Sequence, residues 1–268
     1  MTSGMYQHPD YVVFLKRAGF RVALVTTESP YDIGPELLLA RYADAVFTCE
    51  RTCVPVFQTV CDTVRYLPHA WHPKVHQVAA SDEDVTVPAH DVVFVGTGFQ
   101  DRVDLLGAVD WSGIDFGLYG AWASLPSRHP LRRHLRGNEQ PNTTTAQLYR
   151  RATVGLNLHR RAQSFGKRTR YIVRAESMNP RCYELAACGL PFVTDARAEV
   201  ADVFGDSVWT FTDADDLGAK VRELLGNPAA RAACVEGARR AVASHHWLNR
   251  AQWVLAALKA PANLARTA

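Results

Sequence analysis

The chain has 268 residues and a formal net charge of +3, with an apolar fraction of 47% that is ordinary for a water-soluble protein. That length holds one large or two ordinary domains, each able to bury its own core. No apolar run is long enough to span a bilayer and the N-terminus carries no apolar leader, so a cytoplasmic protein without membrane contact is expected.

The near-balanced charge leaves any attraction to nucleic acid to local clusters. Cys49, Cys53, Cys61, Cys182, Cys188 and Cys234 form no Cys-x-x-Cys pair and no metal-ligand spacing, which reads as reduced thiols, mostly buried.

Residues 8–18 read as a helix stopped by Gly19, and Phe20 to Thr26 as a buried strand. The turn 27–32 at that strand's carboxyl end carries Glu28 and Asp32, where ligands gather in open α/β sheets. A helix over 36–41, a strand over 44–48, a helix over 53–61 and a strand from Val64 follow. The alternation predicts a parallel sheet. His69 lies just beyond the last of these strands, as a candidate acid/base group. The polar stretch 74–89 is expected to be a domain junction, dividing the chain into 1–88, 89–245 and a terminal helix over 246–268.

His90 to Val95 is a near-continuous apolar strand running into Gly96-Thr97-Gly98, a turn that lets backbone approach a ligand closely. Arg102, one turn into the next helix, is a candidate diphosphate contact. A strand over 114–119 leads to Gly120 and Trp122, an aromatic that could stack on a base or sit in the core. The run 125–137 carries Arg128, His129, Arg132, Arg133, His134 and Arg136, which reads as a solvated face or as a phosphate-backbone contact. A helix over 143–151 and a strand over 152–158 lead to His159 and Arg160. A second basic loop, Lys167-Arg168-Thr169-Arg170, could help neutralise a leaving diphosphate.

The chain centres on Glu176 to Pro191. Asn179-Pro180-Arg181 opens a short helix and Gly189 closes it, with Pro191 unable to continue it. Glu176 precedes the helix and Glu184 lies within its first turns, with seven residues between them. A helix start offers unpaired N–H groups to phosphate, while the two carboxylates can accept sugar hydroxyls. The same residues also fit a solvated Glu176 and a Glu184 paired with an arginine. Phe192 starts another strand. A strand over 207–211 and helices over 213–225, 228–244 and 249–258 close the chain.

This stretch resembles the donor-binding signature of GT-B glycosyltransferases of the group 1 type. More closely, it is similar to the spore-maturation-protein-like glycosyltransferases and their bacteriophage relatives. Phe94 to Gly98 with Arg102, Leu118 to Trp122, Leu148 to Arg150, Gly155 to Arg160 and the tail from Phe204 to Trp247 match that family in order. The resemblance implies two Rossmann-like domains facing a cleft, with a shortened N-terminal domain. It implies a metal-independent transfer from a nucleotide diphosphate-sugar, a uridine diphosphate-sugar first among donors, with no permanently bound cofactor.

Glu184 would hold ribose hydroxyls and Glu176 the transferred sugar. Gly96, Gly98, Arg102, His159, Arg160 and the amides around Asn179, Pro180 and Arg181 would surround the diphosphate, with Trp122 beside the base. Glu28, Asp32 and His69 would line the acceptor side. The phage relatives and the basic segments point to a hydroxylated DNA base as acceptor. The family usually has further strand–helix units before the counterpart of Arg21. Either the protein is minimal, or a second copy or partner chain completes the sheet, and a non-catalytic nucleotide-sugar-binding subunit is the rival reading.

Two further patterns point away from metal. Asp213-Ala214-Asp215 reads as an acidic helix start, and Pro68 and Pro73 interrupt any helix that would align His69, His72 and His76.

Overall fold

A computed structural model describes residues 1–2, 7–77, 87–163, 170–172 and 174–259. The chain divides into two compact units. The first comprises Met1–Pro68, the short segment Arg174–Ser177 and the C-terminal helix. The second comprises His69–Val173 and Met178–His246. Of the expected junction, residues 78–86 lie outside the described residues, as do residues 167–169 of the second basic loop.

In the first unit, β1 (Ala23–Thr26), β2 (Ala45–Thr48) and β3 (Val64–Tyr66) form a parallel sheet in that order. Helices α1 (Pro9–Arg17), α2 (Ile33–Ala40) and α3 (Val54–Gln58) bring Val12, Leu39 and Phe57 onto Leu24 and Val46. The C-terminal helix packs Ala257 against Ala23, Ala45 and Phe47. Helix α2 starts earlier than its sequence suggests because Pro35 falls in the first turn, where a missing N–H costs nothing. Strand β1 is shorter than expected, since Phe20 and Arg21 are exposed.

The second unit opens with the one-turn helix α4 (Pro73–His76), so Pro73 starts a turn that contains His76 but neither His69 nor His72. Strands β4 (Val92–Val95), β5 (Phe116–Tyr119), β6 (Leu135–Gly137), β7 (Val154–Asn157), β8 (Phe192–Asp195) and β9 (Trp209–Phe211) form one parallel sheet. Its order is β6-β5-β4-β7-β8-β9. The order in which successive strands are laid down reverses between β4 and β7, the place where doubly wound sheets open a crevice at their carboxyl ends.

Strands β4, β5 and β7 are fully buried, as their apolar runs require with helices on both faces. Helices α5 (Gln100–Ala108) and α9 (Ala214–Gly226) cover one face through Val103, Leu106, Leu217 and Val221. Helices α6 (Asn142–Arg151), α7 (Pro180–Cys188), α8 (Ala198–Phe204) and α10 (Pro228–Val242) cover the other through Tyr149, Tyr183, Leu185, Phe204 and Val242. Helix α11 (Trp247–Lys259) is the C-terminal helix of the first unit. Asp213 caps α9, its Oδ1 accepting the Asp216 N–H at 2.9 Å, which is the helix-start role its sequence suggests.

Candidate functional site

Helix α7 has the termini its sequence suggests. The Asn179 Oδ1 accepts the Cys182 N–H at 3.3 Å, Pro180 occupies the first turn, and Gly189 adopts φ 74°. The N–H groups of Gly189 and Leu190 return to the carbonyls of Ala186 and Leu185. Entry to the helix is set by Glu199, a buried carboxylate on α8 that accepts the Met178 N–H at 2.5 Å and the Tyr183 hydroxyl at 3.2 Å.

Beyond the carboxyl end of β4, Gly96 and Gly98 are required by close packing rather than by unusual dihedrals. A Cβ on Gly98 would lie 2.5 Å from the Trp122 ring, and one on Gly96 would lie 2.9 Å from Phe94 and 3.2 Å from the Arg181 guanidinium. The glycine turn is tied to the next strand end, with Gly96 N–H on the Tyr119 carbonyl and Gly98 N–H on the Ala121 carbonyl, both at 2.9 Å.

Two expected contacts need correction. Arg102 is only 5% exposed, donating to the carbonyl of Thr97 at 2.9 Å and that of Leu158 at 2.6 Å. It therefore staples the turn after β4 to the turn after β7, across the topological switch point. A guanidinium committed in this way has little surface left to offer a ligand.

Trp122 takes the core alternative. It is 4% exposed, donates its indole N–H to the Tyr119 carbonyl at 3.1 Å and meets Phe94 edge-on. A cavity of about 340 Å³ at the ends of β5 and β6, lined by Gly120, Trp122, Gly137, Asn138 and Glu139, is the space next to it.

Past β7, His159 is buried and paired to Asp195, whose Oδ1 accepts both the His159 backbone N–H at 2.8 Å and Nδ1–H at 2.9 Å. Burial alone would raise the Asp195 pKa. The charge and hydrogen bonds of His159 outweigh it, with help from Arg197, and hold the carboxyl at about 2. Because the folded-state pKa is depressed, the stabilisation is present above the unfolded value and is lost as pH falls from about 4 to about 2. Asp195→Asn is expected to lose about 2 kcal/mol at neutral pH, and to remove that part of the acid-unfolding slope in urea titrations at a series of pH values.

The His159 Nε2 lies 3.8 Å from the Cys182 sulfur. The resulting Cys–His–Asp array superficially matches a nucleophile triad. Cys182 has no exposed surface and burial raises its thiol well above the usual range, so it stays protonated and inert. Arg160 folds onto its own loop, donating to the carbonyls of Ala162 at 2.8 Å and Gln163 at 2.7 Å and covering Phe99.

Two charged groups of α7 are left with incomplete hydrogen bonding among the described residues. The Arg181 guanidinium lies over the Phe94 ring beside Gly96, and its buried Nε has no hydrogen-bond partner among the described residues. Glu184 is 20% exposed, and no hydrogen bond reaches its carboxylate from the described residues. Burial raises its pKa, and the charge of Arg181 opposes the shift. His76 stands 4.0 Å away with its pKa lowered to about 4, chiefly by burial, so it is neutral and adds nothing to the charge that Arg181 sets against Glu184.

In the first unit, the turn after β1 is templated by Glu36, a buried residue of α2. Its Oε1 accepts the N–H groups of Thr27 at 2.9 Å and Glu28 at 3.0 Å, and its Oε2 accepts the Ser29 hydroxyl at 2.5 Å. Glu28 and Asp32 stand on this turn, both half-buried, with Asp32 at the start of α2. Glu176 also belongs to the first unit, 49% exposed, with Oε2 accepting from the Arg51 Nε at 2.7 Å. His69 is half-buried at the start of the second unit. Glu36, Glu50 and Glu199, the three buried carboxylates that fix loops here, were not among the expected residues. The sequence signal available for each was an isolated acid beside a strand or helix start.

The arrangement is that of a doubly wound parallel sheet with a smaller parallel α/β unit, the GT-B glycosyltransferase fold. Residues 102–256 match the Glycosyl transferase-like family, and the chain belongs to that family.

Solved structures show the same fold. Sucrose-phosphate synthase from Thermosynechococcus elongatus gives a TM-score of 0.63 at 14% identity, covering 93% of this chain and 70% of that one. The HepE protein of Anabaena, solved with UDP-glucose, gives 0.63 at 13% identity over 94% and 76% of the two chains. A UDP-forming trehalose-phosphate synthase from Burkholderia xenovorans gives 0.62 at 13% over 97% and 72%. No curated protein matches the chain in sequence.

Proposed function

We propose that this protein transfers a sugar from a nucleoside diphosphate-sugar, a UDP-sugar first, to a hydroxyl acceptor. The observation that carries the reading is Glu184, a partly buried carboxylate without an internal hydrogen bond, one turn into a helix that starts beside the switch point. A partly buried carboxylate without internal donors, held at a cost in solvation, is suited to ribose hydroxyls, which supply the missing donors.

Arg181, the amides at the start of α7 and the backbone of Gly96 and Gly98 receive the diphosphate, with Arg102 and His159 holding the loops that carry them. The base occupies the cavity at the ends of β5 and β6. Glu176 addresses the transferred sugar. Glu28, Asp32 and His69 are the candidates for the acceptor side, one of them as base if configuration inverts. Fixed cations can stabilise the leaving diphosphate, so transfer is read as metal-independent. HepE was solved with UDP-glucose, which supports testing that donor first.

Within the family, the spore-maturation-like and phage branch is the proposed placement, with a cytoplasmic setting, a hydroxylated DNA base as acceptor, and a second copy or partner chain completing the small unit. The basic run offers limited support for DNA. Arg132 donates to the carbonyls of Leu125 and Pro126, Arg136 to the carbonyl of Arg133 and to Asp115, and the Arg133 Nε to the His134 ring at 3.1 Å, which leaves Arg128 and the outer end of the exposed Arg133 for phosphate.

The experiment is transfer from UDP-glucose to hydroxymethylated DNA or to small glycans, with and without chelator, over a salt series. With DNA as acceptor, activity at low DNA concentration should fall steeply, with a log–log slope of about −2 for two phosphate contacts. A salt-independent reaction would move the acceptor to a neutral glycan. No transfer by a chain that binds the donor would favour the non-catalytic subunit.

A further inference from the structure

Glu50 lies at the corner after β2, is only 3% exposed, and has no part in the proposed sugar transfer. Its local task is ordinary: Oε1 accepts the Thr52 N–H at 3.0 Å and the Thr52 hydroxyl at 2.9 Å, capping a 3₁₀ turn. The same carboxylate also takes two backbone donors from a segment 126 and 127 residues away. The Glu176 N–H reaches Oε1 at 3.2 Å and the Ser177 N–H reaches Oε2 at 3.1 Å.

Neighbouring residues repeat the pattern. The Arg51 N–H donates to the Ser177 hydroxyl at 3.0 Å, the Thr52 hydroxyl lies 3.3 Å from the Arg174 carbonyl, and the Arg51 Nε holds the Glu176 carboxylate. A cap needs one oxygen. The second oxygen of Glu50 is spent on the strand of chain that carries Glu176.

We propose that Glu50, with Arg51, is a positioning residue for Glu176: it fixes the backbone from which that carboxylate meets the transferred sugar. A buried anion is costly unless satisfied, and here the donors that satisfy it are those whose placement matters for a carboxylate outside the helix. Two successive backbone donors on one buried acceptor, with the Ser177 hydroxyl held in turn by the Arg51 N–H, hold the Glu176 backbone more tightly than an exposed loop would hold itself. The ion pair with Arg51 then orients the side chain. This role rests on the reading that Glu176 addresses the donor sugar.

The test compares UDP with UDP-glucose by calorimetry, and turnover of UDP-glucose, in the wild type, Glu50→Gln, Arg51→Gln, Glu176→Ala and the double variant Glu50→Gln/Glu176→Ala. Glu50→Gln keeps the shape but presents an amide N–H to one of the backbone donors. The expected result is UDP affinity within about twofold of wild type, loss of the extra affinity contributed by the glucosyl group, and turnover down by about tenfold or more. Arg51→Gln should show the same sugar-specific loss, which keeps the proposal testable if Glu50→Gln folds poorly.

The double variant should be no worse than Glu176→Ala, because a positioning residue has nothing left to position. Additive losses, or equal losses for UDP and UDP-glucose, would overturn the positioning role. An inert Glu176→Ala would instead overturn the assignment of Glu176 to the sugar, whatever Glu50 does.

Discussion

Glu184→Ala is expected to lower affinity for a nucleoside diphosphate-sugar by about two orders of magnitude or more, while the protein remains folded. Each hydrogen bond from a ribose hydroxyl to an ionised, partly buried carboxylate contributes about 1.5–3 kcal/mol. Two such bonds therefore account for a loss of that size.

Stability should move the other way. Burial raises the Glu184 pKa above the ordinary value of 4.5, so the folded state favours the neutral carboxyl and ionisation at higher pH costs folding free energy. The neutral amide in Glu184→Gln should therefore raise the melting temperature at neutral pH while still weakening donor binding. A variant that binds UDP-glucose as tightly as wild type would remove Glu184 from the site. A variant that only unfolds would mark it as structural.

The largest stability loss is expected at Gly120. This residue has φ 117°, and a Cβ there would stand 2.1 Å from the carbonyl oxygen of Gly96 and 2.7 Å from its carbon. Both contacts are backbone, so no side chain can swing aside. The Gly120 N–H is also shared between the carbonyls of Gly137 at 3.2 Å and Asn138 at 3.1 Å, which pins the residue from its other side. Gly120→Ala must thus pull apart the ends of β4, β5 and β6 while holding alanine in left-handed space, at a cost of about 3 kcal/mol or more. Urea unfolding measures it directly, and a change within about 0.5 kcal/mol would contradict this packing. The donor-site turn around Gly96 should loosen in parallel, so any folded fraction should bind UDP-glucose weakly.

Much of this architecture was legible from residue pattern. The caps of α7 follow from Asn179, Pro180 and Gly189, whose conformational demands are local, and the apolar runs at 92–95 and 154–157 announce buried parallel strands. Strand β6 was hidden because Leu135–Gly137 is three residues long inside a basic run, and only pairing with β5 makes it a strand.

The side-chain roles were harder for the same reason. Whether Arg102 meets solvent or two carbonyls depends on Leu158, 56 residues away, and no spacing within a helix reports it. Trp122 carried two readings, and the decision fell to Gly98, which leaves room for its ring. Glu50 was invisible because two of its four contacts form a simple cap on Thr52, and the other two exist only once residues 176 and 177 are brought beside it.

The most direct measurement is calorimetric titration of the wild-type chain with UDP-glucose, followed by the guanosine, cytidine and thymidine diphosphate-sugars. Binding of one of these donors, stronger than binding of its free nucleoside diphosphate, is the result this account predicts. Absence of binding across the panel by a folded protein would contradict it, and with it the assignment of Glu184, Arg181 and the glycine turn to a sugar nucleotide.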